Sequence, residues 1–598
     1  MRYGPQQLAT IHARMVRGDI AGALADIDAA VTAEPGNAAA WHLAGVVRRK
    51  AGDPEAAVRA FDTAIACGLA NAEIENSRGL SLQDLGRTDE ALAAFERARE
   101  HDPAYVPASV NQARLLAELG RLDEASAMLE ALVAANPGSS LARNALAATM
   151  RDMGEPERAV AVYRETLARD PANSVATVRL GQALRDAGEP GAALEHYRHA
   201  AGRMGASPEF AESMAGALVD NGRADEARAL LERLTAGSPA YFAGHRALAR
   251  LTREYGVGDD PWRSYRSIAG QWPGEPSIWL DWLAQLVSFR DYDDVRQVAA
   301  DARAAVGERA EFALYQAIAD GELGNTAEAE ARFAALEDAM GETGPYLTAR
   351  ARVALRRGEP AQAESLATRA TAIDRADVFG WAYLGLAWRL QDDPREFWLH
   401  DYAVQARQVP LPHLEDPDAL AELVETLRGL HRAQHHPPDQ SLRNGTQTQG
   451  ALFARKEHSI RLLRDAVLAR QEEYARDLPQ DEAHPFYARN TGKLRFTGSW
   501  SVRLHGEGFH ISHLHQAGWI SSALHLVVPP ACAEDIEHAG KLVLGAPPAE
   551  LGLDLPPRRV IEPVAGALVL FPSSMWHGTV PFRGGAERLT VAFDSVPA

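Results

Sequence analysis

Two histidines one residue apart, His513 and His515, stand in the segment GFHISHLH, and a third, His577, follows in LVLFPSSMWHGTVPF. Alternate side chains of an extended chain share a face, so the pair can reach one ion, and neutral imidazole is a common ligand for first-row transition metals. The run up to Phe571 reads as a strand, and Pro572 opens the turn that carries His577. Arg588 comes 11 residues after His577 in ERLTVAF, with Thr590 on its side of the strand, the spacing that a neighbouring antiparallel strand would supply. Cys67 and Cys532 are too far apart in sequence to make a thiolate metal motif, so any metal must use His, Asp or Glu. Glu534, Asp535 and His538 in the following loop are substitutes for His515 as third ligand. His510, three before His513, faces the other side of an ideal strand. It is set aside with His525, while His435 and His436 read as loop residues near the surface. The plainer reading of any one of these histidines alone is a hydrogen-bonded core residue, and it weighs more for His515 than for His513 or His577. The argument rests on their combination.

The elements around them change character near residue 400. A segment with irregular prolines, DDPREFWLHDYAVQARQVPLPHLEDPDAL, reads as a connector. A helix is expected from about Pro417 to His431, then a loop through HHPPDQSLRNGTQT, then a helix from about Leu452 to Ala475. Beyond Phe486 come short runs rich in β-branched residues: LRFTGSWSVRL, GFHISHLH, WISSALHLVV, KLVLG, RRVIEPVAGALVLF and ERLTVAF. Glycine and proline separate them, as in an antiparallel barrel or jelly roll.

The ligand pair, the distal histidine and Arg-x-Thr together resemble the iron(II)/2-oxoglutarate oxygenases. More closely, SWSVRL, HLHQAGWISSALHLVVP, the run from Pro563 to Pro572, WHGTVPF, RLTVAFD and DQSLRNGTQT look like a bacterial group of such oxygenases that often follows tetratricopeptide repeats. The similarity covers most of residues 430–598. It implies a double-stranded β-helix (jelly roll) in an α+β domain. Fe(II) would be held by His513, His515 and His577, and 2-oxoglutarate would chelate that iron. The distal carboxylate of 2-oxoglutarate would pair with Arg588, assisted by Thr590. It also implies oxidative decarboxylation to succinate coupled to hydroxylation of an unactivated C–H bond by dioxygen. The family at large uses two histidines and a carboxylate, and His515 stands where the carboxylate would be. That departure leaves the third ligand open between His515 and the loop carboxylates. The cupins, another jelly roll with an H-x-H pair, expect a glutamate shortly after the pair, and QAGWISSAL supplies none.

The preceding chain is periodic. Gly18, Gly52, Gly86, Gly120, Gly154, Gly188 and Gly222 recur every 34 residues. Five residues beyond each stands an alanine (Ala23 to Ala227), and four further on a large apolar residue (Ile27, Phe61, Phe95, Leu129, Tyr163, Tyr197, Leu231). The glycine suits a turn between antiparallel helices, and the alanine and the bulky residue share a helical face. This resembles the tetratricopeptide repeat, as do Trp41 with Gly45 and Trp381 with Leu384 and Gly385. The glycine register lapses after Gly222 and returns at Gly324 and Gly358. The stretch between holds Trp262, Tyr265, Trp272, Trp279 and Trp282, either the aromatic cores of divergent repeats or an aromatic binding surface. The expected organisation is an α superhelix followed by the oxygenase. Regular repeats occupy 1–237, divergent helical repeats 238–318, further repeats 319–395, a connector 396–430 and the oxygenase domain 431–598.

Stacked repeats leave a long groove and usually bind peptides or proteins. A protein or peptide substrate hydroxylated after recruitment by the repeats is therefore the leading reading. An oxygenase for a small or carrier-tethered molecule is the second, and a scaffold with an inactive oxygenase domain the third. A net charge of −19 with no basic tract argues against nucleic acid. No apolar run is long enough to span a bilayer, and the first residues show no secretion signal, so a cytoplasmic protein is expected.

Overall fold

The periodic glycines adopt the left-handed backbone that their turns require, from φ 90° at Gly18 to φ 73° at Gly222. The structure, a computed structural model, describes all residues except 1–2, 206, 434, 438–439, 449, 530–535 and 583–585. The left-handed turn continues at Gly256, Arg290, Gly324, Gly358 and Asp392, each 34 residues on. The period expected to lapse after Gly222 thus runs unbroken through the divergent stretch. Gly256 keeps the glycine itself, and the period is masked only at Arg290 (φ 61°) and later at Asp392 (φ 54°), which take the same conformation despite a Cβ, at a cost of roughly 1–2 kcal/mol each.

Each turn joins antiparallel helices, beginning with Pro5–Val16 and Ile20–Ala33. The alanines of the repeat are fully buried, and the large residue four places on fills the space between neighbouring helices. A Cβ at Gly45 would stand inside the ring of Phe61, so the small residue is imposed by its aromatic partner. A recurrent brace ties each of several helices to its entering loop. Trp41, Trp279 and Trp381 donate through Nε1 to the carbonyl six residues back, at 2.8, 2.8 and 3.0 Å. Arg143 and His245 do the same at equivalent positions. Trp262, Tyr265, Trp279 and Trp282 are buried in a single core cluster, so most of the aromatic stretch is packing; Trp272 is exposed.

The chain divides into two units, Met1–Ala183 and Leu184–Ala598. The first consists of helical repeats. The second begins with repeats and ends in antiparallel sheets. Its strands are β1 (Arg407–Pro410), β2 (Leu442–Gln447), β3 (Leu494–His510), β4 (Ile520–Val527), β5 (Leu542–Leu544), β6 (Arg559–Ile561), β7 (Ala567–Pro572), β8 (His577–Thr579) and β9 (Glu587–Pro597). Six form a sheet in the order β1-β7-β4-β9-β3-β2, and three form a second in the order β6-β5-β8. This antiparallel pair is the jelly roll expected from the alternating runs. Helices Pro417–Arg428 and His458–Arg476 pack on the larger sheet, burying Leu589, Val591 and Phe593 of β9.

Three local expectations change. The segment DQSLRNGTQT, expected as loop, contains β2, which pairs with β3 around an irregularity at Asn444 (φ 54°). Its polar side chains hide a strand whose stability comes from the ladder. The helix expected from Leu452 starts at His458, after a 3-10 turn over Leu452–Ala454. The stretch 396–430 is more than a connector, because β1 pairs with β7 at the edge of the larger sheet.

The last repeats and the sheets share a core. Trp576 and Leu551 belong to the same buried cluster as Leu355, Leu366, Tyr383 and Leu386 of the repeat helices. Arg389, 6% exposed, donates to the carbonyls of Gly545 (2.7 Å) and Pro556 (2.6 Å). Arg558 pairs with buried Glu396 at 2.6 Å. A chain beginning at Leu411 would expose Trp576 and Leu551, each worth about 1.5–3 kcal/mol of burial. It is therefore expected to aggregate on size-exclusion chromatography, whereas the full chain stays monodisperse. Equal behaviour of the two would show that the shared core is dispensable.

Candidate metal centre

His513 and His515 do not lie on a strand as expected. They follow the end of β3, where His513 makes an isolated antiparallel bridge to His577 through backbone hydrogen bonds of 2.9 and 3.2 Å. His515 N–H donates to the Ser573 carbonyl at 3.3 Å. These bonds tie the pair to the turn before β8, so all three imidazoles converge. One nitrogen from each lies within 4.8 Å of the others, and among the described residues no other such group of metal-ligating side chains occurs.

The second nitrogens determine what that convergence can do. His513 Nδ1 faces the Ile511 carbonyl at 2.8 Å and His577 Nδ1 the Met575 carbonyl at 3.0 Å. His515 Nδ1 faces Asp594 Oδ2 at 2.7 Å. Carbonyls and carboxylates only accept, so each Nδ1 is the donor, which in a neutral ring leaves the Nε2 lone pair for a metal. His513 Nε2 and His515 Nε2 stand 3.0 Å apart. Burial holds the pKa values of His513 and His577 well below the usual histidine value, which keeps both rings neutral. Lone pairs facing one another at this distance repel, and a cation between them converts the repulsion into ligation. The donor set therefore fits a divalent transition metal, and its all-nitrogen character agrees with His515 in place of a carboxylate.

Asp594 is the functional residue that the sequence reading missed. It is 7% exposed and accepts from His515 Nδ1 and from Ser521 Oγ (2.7 Å). The signal was present in RLTVAFD, where Asp594 follows Arg588 and Thr590 at the two-residue period of one strand face. Of the substitutes for His515, Glu534 and Asp535 lie outside the described residues. His538 pairs with Glu537 at 3.4 Å and stands apart from the cluster. His435 is exposed and His436 half-buried.

A cavity leads from the three histidines to Arg588 and Thr590, and His510 and His525 line it too. The expectation that His510 faces away is corrected: Ser441 Oγ links it to the cluster, 3.0 Å from His510 Nδ1 and 3.1 Å from His513 Nε2. Arg588 is not on a strand beside His577 either. His577 begins β8 of the small sheet and Arg588 lies on β9 of the large one, so they approach across the domain. Arg588 is 1% exposed, donates one nitrogen to the Gly540 carbonyl, and has burial pushing its pKa down to about 10. Its Nε and Nη1 have no hydrogen-bond partner among the described residues. A buried guanidinium with unmet donors is a receptor for a carboxylate.

On the other side of the histidines opens a cleft of about 690 Å³. Trp500, stacked on His515 at 5.7 Å, forms part of one wall, while Arg290, Tyr292, Arg352, Phe379 and Tyr383 from the repeat helices form another.

Asp594→Ala is expected to weaken metal binding by about tenfold to a hundredfold, as loss of a ligand-orienting carboxylate does. His510→Ala should leave it nearly unchanged. Competition with a chelator for Co(II) measures both, and equal affinities for the two variants would remove Asp594 from the site.

The family model described as "Putative 2OG-Fe(II) oxygenase" matches residues 498–594. Tetratricopeptide-repeat models match 8–72 and 144–209, 82–149 and 184–251, and 345–369. No curated protein matches the chain. Similar solved structures include a tetratricopeptide repeat protein from Parabacteroides merdae ATCC 43184, with 16% identity, 41% of this chain and 98% of that one covered, and TM-score 0.35. PilW, a type IV pilus biogenesis factor, shows 25% identity over 34% of this chain and 94% of that one, with TM-score 0.30. MamA from Desulfovibrio magneticus RS-1 shows 22% identity over 27% and 92%, with TM-score 0.24. The family implies Fe(II) and 2-oxoglutarate, and the three histidines fit the metal. The chain carries tetratricopeptide repeats followed by a C-terminal domain of the 2OG-Fe(II) oxygenase family.

Proposed function

We propose that this protein is an Fe(II)- and 2-oxoglutarate-dependent dioxygenase that hydroxylates a peptide or protein segment recruited by its repeats. The observation that carries the proposal is the double origin of the cleft. Its floor is His513 and His515, and its far wall is Arg290, Tyr292, Phe379 and Tyr383 of the repeat array. A small molecule would fit the same volume. A polymer is favoured because helices of a repeat class that commonly binds extended segments form that wall.

When bound, iron and 2-oxoglutarate supply oxidation of a C–H bond by dioxygen, with succinate and carbon dioxide as co-products. The chain's own residues do the positioning. His513, His515 and His577 would hold the metal from one side, and Asp594 keeps the His515 lone pair aimed at it. Arg588 would hold the distal carboxylate through an unmet donor, with Thr590 beside it on the same face of β9. Trp500 and Trp576 line the cleft and limit water around the reacting group. Arg290 reaches the cleft from a left-handed turn and is held there by Glu550 at 3.0 Å.

Succinate formation from 2-oxoglutarate should require Fe(II) and disappear in His577→Ala; wild-type iron content and turnover in that variant would sink the assignment. Arg588→Gln should raise the 2-oxoglutarate requirement on the order of a hundredfold, the loss of a buried charge-assisted pair. The delivery role has its own test in Arg290→Gly, which restores the turn residue of the other repeats. The variant should be at least as heat-stable as wild type, keep substrate-free succinate release, and lose most oxygen incorporation into partner proteins captured by the full chain. Unchanged incorporation would favour the small-molecule reading.

A further inference from the structure

The cavity beside the metal ligands holds a second polar group that the reading above does not use. His525 lies on β4, 1% exposed, and neither of its ring nitrogens has a hydrogen-bond partner among the described residues. Its neighbours Leu524 and Leu526 pack into the apolar core on the opposite face, where a polar side chain would be out of place. An imidazole with two unmet nitrogens is a poor space-filler in such a strand, because a leucine would pack there without a desolvation cost. The unmet groups point to a ligand.

The register says where that ligand sits. His525 is directly opposite Thr590 in the β4–β9 pairing, so the two side chains share a face. Arg588 is two residues before Thr590 on β9 and shares that face as well. All three line the same cavity, and Arg588 is the charged group that acts on His525 after burial itself. Further along the same face of β9 stand Ala592 and then Asp594, which holds His515. The cavity is thus polar at both ends: three imidazole lone pairs at one, and Arg588, Thr590 and His525 at the other. A molecule spanning it needs a metal-chelating head and an anionic tail.

Resting on the oxygenase reading above, we infer that His525 is a co-substrate-binding residue, donating a ring N–H to the distal carboxylate of 2-oxoglutarate. Arg588 meets that carboxylate with one of its unmet N–H groups, and His525 supplies a further donor from the neighbouring strand. The Thr590 hydroxyl opposite can donate to the remaining imidazole nitrogen, so both nitrogens of His525 are satisfied once the carboxylate is present.

The test uses the full chain loaded with Mn(II) under nitrogen, titrated calorimetrically with 2-oxoglutarate and with 2-oxobutyrate, which has the same chelating head and no distal carboxylate. His525→Leu should weaken 2-oxoglutarate about tenfold to a hundredfold, the loss of one hydrogen bond to a charged group, and leave 2-oxobutyrate unchanged. His525→Gln, which keeps a donor, should recover most of the affinity. Equal weakening of both ligands would mean that His525 only shapes the fold, and unchanged 2-oxoglutarate binding in His525→Leu would remove it from the seat; either overturns the inference while leaving the oxygenase reading intact. Failure of the wild-type chain to bind 2-oxoglutarate would sink both. If His525→Leu shows no cooperative thermal unfolding, His525→Gln is compared with His525→Met, and equal affinities of that pair overturn the inference.

Discussion

Three imidazole nitrogens are held facing one another, an arrangement that between neutral rings is repulsive until a cation occupies it. The rest of the domain serves to impose it. Two backbone carbonyls and one carboxylate take the Nδ1 protons of His513, His577 and His515, so the rings cannot escape by changing tautomer. The bridge between His513 and His577 fixes the distance between a loop and a strand that are far apart in sequence. Burial of His513 and His577 disfavours their protonation, the other way in which the repulsion could be relieved.

β9 organises the space beside this centre. Its two-residue period places Leu589, Val591 and Phe593 against the helices, while Arg588, Thr590, Ala592 and Asp594 face the cavity side. One strand thereby carries an apolar seam and a graded polar face. Asp594 orients the candidate ligand His515 at one end, and Arg588 carries unmet donors at the other. Leaving such a guanidinium buried is unfavourable in the isolated fold, and a carboxylate ligand reverses that balance.

The repeats are structurally continuous with the sheets. Trp576, next to the candidate ligand His577, packs on Tyr383 with ring centres 6.1 Å apart, so the last repeat supports the turn that presents this histidine. Arg290 extends the coupling to the cleft. Its left-handed backbone is the repeat's ordinary turn geometry, but its side chain replaces a hydrogen with a guanidinium that lines the site. Candidate metal centre and repeat helices are therefore built into one core.

Much of this is local and so legible in the sequence. The 34-residue period follows from a helical hairpin whose turn needs a left-handed residue and whose faces need an alanine and a bulky residue at helical spacing. The strands of the jelly roll follow from alternation and β-branching, and His513, His515, His577, Arg588 and Thr590 stand out by type and spacing. What escaped depends on partners remote in sequence. Arg290 and Asp392 continue the period with non-glycine residues, which no composition rule detects. β1 and β2 become strands because ladders across the sheet satisfy their backbones, not because their side chains favour it. The direction of His510, the bond from Asp594 to His515 and the unmet nitrogens of His525 are set by how strands meet across the domain. Sequence alone determined which residue types are available and which periodicities they obey, because both are properties of neighbours along the chain. Only the tertiary structure decided which of those groups face each other, because hydrogen-bond partners and burial arise between segments that the sequence keeps apart.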